Sequence, residues 1–117
     1  MTRPHLLASL AAAALMAATW PSPARSHRGC HSSACHKRVT VKPHRAFFER
    51  VARCESGSRW HLNTGNGHYG GLQFTRASWW AVGGTGLAHE HGRLEQMFRG
   101  VLLLRVQGRG AWPVCGR

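Results

Sequence analysis

The chain carries only four acidic residues, all glutamates: Glu49, Glu55, Glu90 and Glu95. Aspartate is absent, which excludes an aspartic dyad, a Ser-His-Asp triad and an Asp-based calcium loop. Any carboxylate chemistry must draw on these four. Glu55 stands apart by its surroundings, because it ends a helical stretch, follows Cys54 and precedes Ser56-Gly57. A carboxylate there feels the negative end of the helix dipole, and apolar burial raises its pKa further. A raised carboxyl pKa is what a general acid needs to protonate a glycosidic oxygen near neutral pH. Glu49 lies six residues earlier, about 240° around a helix, so the two share no face. Nothing local singles out Glu90 or Glu95. A retaining glycosidase needs a second carboxylate about 5 Å from the acid, and an inverting one needs a base about 6.5–9.5 Å away. No such partner is evident near Glu55, so a reaction that uses one carboxylate is favoured.

The elements that must hold Glu55 follow from periodicity. Phe47, Phe48, Val51 and Ala52 form one apolar stripe of a helix from about Arg45 to Glu55, which Ser56-Gly57 ends. Thr64-Gly65-Asn66-Gly67 is dense turn chemistry, and Asn66-Gly67 signals a hairpin whose return strand falls in His68 to Phe74. Thr75 is placed to cap a short helix carrying Trp79, Trp80 and Val82, which Gly83-Gly84 stops. A last helix, about Arg93 to Val106, has Leu94, Met97, Phe98, Val101, Leu102 and Arg105 at helical spacing. Gly100 weakens that helix by about 1 kcal/mol relative to Ala. The expected fold class is α+β, with about three helices and a short β-hairpin, stapled by disulfide.

Sixteen Lys+Arg against those four acids leave a formal net charge of +12, and 117 residues hold one domain beside a targeting segment and a tail. Hydrophobic residues at 43%, with five Trp, fit a small folded domain rather than a disordered chain. Residues 1–24 read as a secretory signal peptide: Arg3, an apolar run from Leu6 to Trp20, then Ser22-Pro23-Ala24. About 15 apolar residues fall short of the roughly 20 that span a bilayer. Export also permits disulfides. Residues 25–44 form a basic Cys/His-rich tail or linker with five Lys/Arg, four His and no acid, and residues 45–117 form a second part that holds ten Arg and all four glutamates. Four cysteines allow three pairings, and sequence does not choose between them. Proximity favours Cys30 with Cys35, leaving Cys54 and Cys115 to close a loop of about 60 residues, worth roughly 4 kcal/mol in the chain-entropy model. The run Cys30-His31-Ser32-Ser33-Ala34-Cys35-His36 also offers zinc-type ligands, but its spacing matches no finger or ribbon, so no metal and no cofactor is expected.

The stretch Phe48 to Trp60, then Asn63-Thr64-Gly65-Asn66-Gly67-His68-Tyr69-Gly70-Gly71-Leu72-Gln73-Phe74, resembles the catalytic domain of actinobacterial resuscitation-promoting factors. So do Ser78-Trp79, Val82-Gly83-Gly84 and the closing Gly108 to Cys115. The resemblance covers about Phe47 to Cys115 and none of the tail. It implies a lysozyme-like, transglycosylase-like domain that cleaves the β-1,4 bond between N-acetylmuramic acid and N-acetylglucosamine of peptidoglycan. It further implies Glu55 as the catalytic acid and a Cys54–Cys115 disulfide. It places sugar contacts at Asn63, Thr64, Asn66, Tyr69, Gln73, Ser78 and Trp79, and it matches Trp60 and Trp112 to family aromatics. The sequence departs from the family at Ser58, where a second glycine is usual, at His68, where tyrosine is frequent, and at Gly100, where the helix loses stability. The expected setting is secreted and wall-associated. The expected partners are peptidoglycan strands, anionic wall polymers held by the basic tail, and a second wall hydrolase, with no nucleic acid and a monomeric chain. A non-catalytic cationic wall-binding or antimicrobial protein fits the same charge and export.

Overall fold

The computed structural model describes residues 29–117; the signal-peptide reading of residues 1–24 lies outside them. Helix α1 is Ser33–Val41, α2 is Arg45–Ser56, α3 is Arg76–Ala81 and α4 is Arg93–Gln107. Strands β1, His68–Tyr69, and β2, Phe74–Thr75, pair antiparallel with His68 opposite Thr75 and Tyr69 opposite Phe74. This is a small disulfide-stapled α+β domain. Cys54 is bonded to Cys115 and Cys30 to Cys35.

The described part of the segment read as a basic tail or linker is mostly helical. Residues 33–44 form α1 and a 3-10 turn, and α1 lies along α4. Ser32 caps α1 by accepting from the Cys35 amide at 3.1 Å, and the Cys30–Cys35 bond closes over the same end. Val41 is fully buried. His36 meets the Phe98 ring edge-on at 5.9 Å, and Lys37 pairs with Glu95. With one buried aliphatic residue, α1 carries too weak an apolar stripe to be legible. Aliphatic stems and imidazole do its packing instead.

The other elements arise as their local chemistry dictates. Gly57, at φ 62°, turns α2 off, and the Gly57 and Ser58 amides close the last turn on Arg53 and Ala52 carbonyls. Thr75 caps α3 by accepting from the Ser78 amide at 3.1 Å. The hairpin is split. Asn63 makes an isolated antiparallel bridge to Tyr69 across the Asn66-Gly67 turn, and a second turn through residues 70–73 separates β1 from β2. The core runs Phe48, Val51, Leu72, Trp79, Met97, Val101 and Trp112. On α4 the buried positions are Gln96, Met97, Gly100, Val101 and Leu103. The stripe is thus rotated from the expected one, leaving Phe98 to cover α1. Gly100 has a packing reason: a Cβ there would lie 2.9 Å from both Leu72 and Phe48 side chains.

Candidate active site

Glu55 sits one residue before the C-terminus of α2, and its side chain is partly buried. Burial pushes its carboxyl above the ordinary carboxylate range, and the opposing effect of the nearby His68 charge is smaller. The other three glutamates are engaged elsewhere. Glu49 pairs with Arg93. Glu90 accepts from the Leu87 amide at 2.9 Å. Glu95 binds Arg99 at 2.8 Å and Lys37; burial pushes its carboxyl up, but the bonds to these two cations pull it below the usual range. Among the described residues Glu55 has no hydrogen-bond or ion-pair partner. It is the one glutamate among the described residues without such a partner.

Two buried side chains hold the loop that follows Glu55. The Ser56 hydroxyl donates to the Gly71 carbonyl at 2.9 Å and accepts from the Arg59 amide at 3.2 Å. Gln96, fully buried on α4, accepts from the Gly71 amide at 2.8 Å and donates to the Trp60 and His91 carbonyls at 2.7 and 2.8 Å. Residues 60–71 are therefore pinned at both ends to helices α2 and α4.

On that loop, Asn63, Thr64 and Asn66 are exposed. The Asn63 and Asn66 side-chain Oδ1 atoms accept from the Gly65 and His68 backbone amides, so both shape turns. Tyr69 is partly buried and stacks on His89, with ring centres 5.5 Å apart. Gln73, at φ 54°, donates from its side chain to the Gly70 carbonyl at 2.8 Å. The Ser78 hydroxyl bonds back to Thr75 within the α3 cap. Thr75 and Ser78 also line a concavity of about 390 Å³ that reaches to Leu103 on α4 and does not include Glu55. Trp79 is not a surface contact: it is 1% exposed, and its indole donates to the Thr85 carbonyl at 3.0 Å. Its neighbour Trp80 is the open one, at 55% exposed.

The structure adds two histidines that sequence reasoning passed over. His61 bonds through Nδ1 to the His89 carbonyl at 2.8 Å, and the His89 Nε2 lies 3.5 Å from the Asn63 amide nitrogen. With Tyr69 stacked on its face, His89 joins the loop before α4 to the turn that holds Asn63. Nine histidines in the chain were the only available signal, and their sequence distance, 28 residues from His61 to His89, hid the pairing. The tail's metal reading loses its thiolates, since both Cys30 and Cys35 are in a disulfide.

No helix of the described residues is long and apolar enough to cross a membrane. A family model described as a transglycosylase-like domain matches residues 42–115. Over 70 residues, 60% of this chain, it is 51% identical to resuscitation-promoting factor Rpf of Micrococcus luteus, of which that covers 31%. It is 53% identical over 70 residues to RpfE of Mycobacterium tuberculosis, covering 60% of this chain and 41% of the relative. Identity to Rpf1 of Corynebacterium glutamicum is 45% over 71 residues, covering 58% and 37%. The chain thus spans about a third to two fifths of the length of these relatives. The match of the family model to residues 42–115, most of the folded part, and the identities to these relatives place this chain in the transglycosylase-like domain family, of the resuscitation-promoting-factor type.

Proposed function

We propose that this chain cleaves the β-1,4 bond between N-acetylmuramic acid and N-acetylglucosamine in peptidoglycan, with Glu55 as its single acid/base. The observation that supports the reading is the isolation of Glu55: a carboxyl raised by burial with no partner among the described residues, while the other three glutamates are engaged. Protonated Glu55 gives its proton to the glycosidic oxygen as the C1–O bond breaks. The carboxylate left behind then takes the proton of the same sugar's 6-hydroxyl, whose oxygen closes on C1. The product is a 1,6-anhydro sugar, and the proton inventory returns to its start. This route needs one protein carboxylate, which is why it is preferred to hydrolysis through a second acid. Asn63, Thr64, Asn66, Tyr69, Gln73 and Ser78 are the proposed sugar-facing set, and His89 backs Tyr69 and Asn63. Trp79 supports this set from the core rather than touching sugar.

The proposed setting is a secreted, wall-associated monomer in wall remodelling or resuscitation of growth, which export through residues 1–24 would provide. The test is mass spectrometry of fragments released from purified peptidoglycan by the oxidised protein and by Glu55→Gln. Anhydro-muropeptides from the parent alone are expected. Reducing ends that depend on Glu55 would instead make the enzyme a hydrolase. No Glu55-dependent fragment at all would leave the cationic wall-binding reading, which the +12 charge independently favours.

A further inference from the structure

Two guanidinium groups converge on one ring away from Glu55. The Arg50 guanidinium carbon lies 5.6 Å from the centre of the Phe47 ring, and that of Arg109 lies 5.3 Å from the same centre. Both arginines are exposed, and among the described residues neither has a carboxylate partner. They come from opposite ends of the domain's sequence, α2 and the 3-10 turn Gly108–Ala111. The Cys54–Cys115 bond ties those two segments together, one helical turn after Arg50 and six residues after Arg109. Phe47 itself is anchored edge-on against Phe48 and Trp112, with ring centres at 5.0 and 6.1 Å. Two like charges are thus held on a covalently stapled, aromatic platform with no carboxylate partner among the described residues. Arg53 adds a third on the same solvent face of α2.

We propose that Arg50 and Arg109, with Arg53 beside them, form a binding site for a flexible polyol-phosphate chain, a polymer of repeated phosphodiesters. Guanidinium forks match phosphate oxygens in pairs, and repeated charges along one polymer reach both forks at once. The site has no open aromatic face for stacking bases, since its only ring is engaged by both guanidiniums and by its neighbours, which disfavours a nucleic acid. Arg50 lies about 140° around α2 from Glu55, so polymer bound there leaves the carboxylate accessible. The site places a docking function on the folded domain itself and does not depend on what Glu55 does.

The test uses the full chain with both disulfides formed and purified poly(glycerol phosphate) as probe. The paired change Arg50→Gln with Arg109→Gln is compared with a charge-matched control, Arg76→Gln with Arg105→Gln, both pairs being exposed. The first pair is expected to weaken binding roughly tenfold or more at low salt and to flatten its salt dependence, with the control within about threefold of the parent. Circular dichroism confirms that each variant is folded. Equal losses in both pairs would overturn the site, because net charge alone would then account for binding. Unchanged binding in the first pair would overturn it as well. Tighter binding of an oligothymidylate at equal phosphate concentration would overturn the polyol-phosphate assignment in favour of nucleic acid. Release of fragments from purified glycan is expected to be the same in both pairs, so failure here is distinguishable from failure of the Glu55 chemistry.

Discussion

Gln96 is the residue on which the geometry of the site most depends, and its loss has a magnitude that can be worked out. Its side chain makes three hydrogen bonds: one accepted from the Gly71 amide and two donated to the Trp60 and His91 carbonyls. Gln96→Leu keeps the volume roughly but strands all three backbone groups. The Gly71 bond is fully buried and the other two partly so. Stranding a buried group costs about 1–3 kcal/mol, so the sum is about 3–5 kcal/mol once partial access to water is allowed for the carbonyls. A domain of this size loses roughly 4–8 °C of Tm per kcal/mol, which predicts a fall of about 12 °C or more by thermal circular dichroism. Hydrogen exchange at the Gly71 amide is expected to quicken with it. Gln96→Glu separates hydrogen bonding from volume. Protonated, it still offers one donor and one acceptor; ionised and buried, it faces two carbonyl oxygens. Its pKa in the fold therefore rises above the unfolded value of about 4.3, and the stability of the protonated form is lost as pH climbs through that window. The Gln96→Glu variant should lie closer to the parent at pH 4 than at pH 7. A fall of under about 5 °C for Gln96→Leu, with the Gly71 amide still protected, would refute the reasoning, because the loop would then be held by other contacts.

Three further changes have expected outcomes. Glu55→Gln should abolish fragment release yet stabilise the fold at pH 7: the folded pKa is raised by burial, so the parent loses stability as pH rises above the unfolded value, and the difference should vanish near pH 3, read by denaturant melts at both pH values. Ser58, at φ 62°, holds a left-handed backbone that glycine adopts without strain, so Ser58→Gly should stabilise by about 1 kcal/mol in urea titrations. Gly100→Ala gains about 1 kcal/mol of helix propensity but forces Leu72 and Phe48 apart at a cost of about 1–3 kcal/mol, so its melting temperature should fall rather than rise.

Much of the scaffold was legible because its signals are local. Helix α2 ends one residue past its expected limit, Thr75 caps α3 as its hydroxyl allows, and α4 runs one residue beyond the pattern. The helix-end position of Glu55 was legible because the α2 stripe and its Ser56-Gly57 stop lie in one segment. What escaped was non-local. Helix α1 lacks the apolar stripe that announces a helix, and its stability comes from α4 and a five-residue disulfide loop. Gly100 read as a weak point because propensity counts only the helix, whereas its packing partners sit on α2 and beside β2. Trp79 and Trp80 are adjacent and chemically alike. Only the helix's orientation, fixed by the Thr75 cap and the Thr85 carbonyl, decides that the first is core and the second is open.

The allocation of four carboxylates explains why a single one suffices for the chemistry proposed. Each engaged glutamate fixes an element beside the site: Glu49 ties α2 to the start of α4 through Arg93, Glu95 ties α4 to α1 through Lys37, and Glu90 folds the loop carrying His89 by capping Leu87. Each of the three is engaged with a cation or an amide, and Glu55 is the glutamate without a partner among the described residues. Glu55 is the reverse case. It is partly desolvated with no partner among the described residues, a state that disfavours its charged form and weakens the fold when it ionises. Removing a scaffold glutamate should therefore cost stability, while removing Glu55 should add it, and opposite signs are what separate a retained functional acid from a structural one.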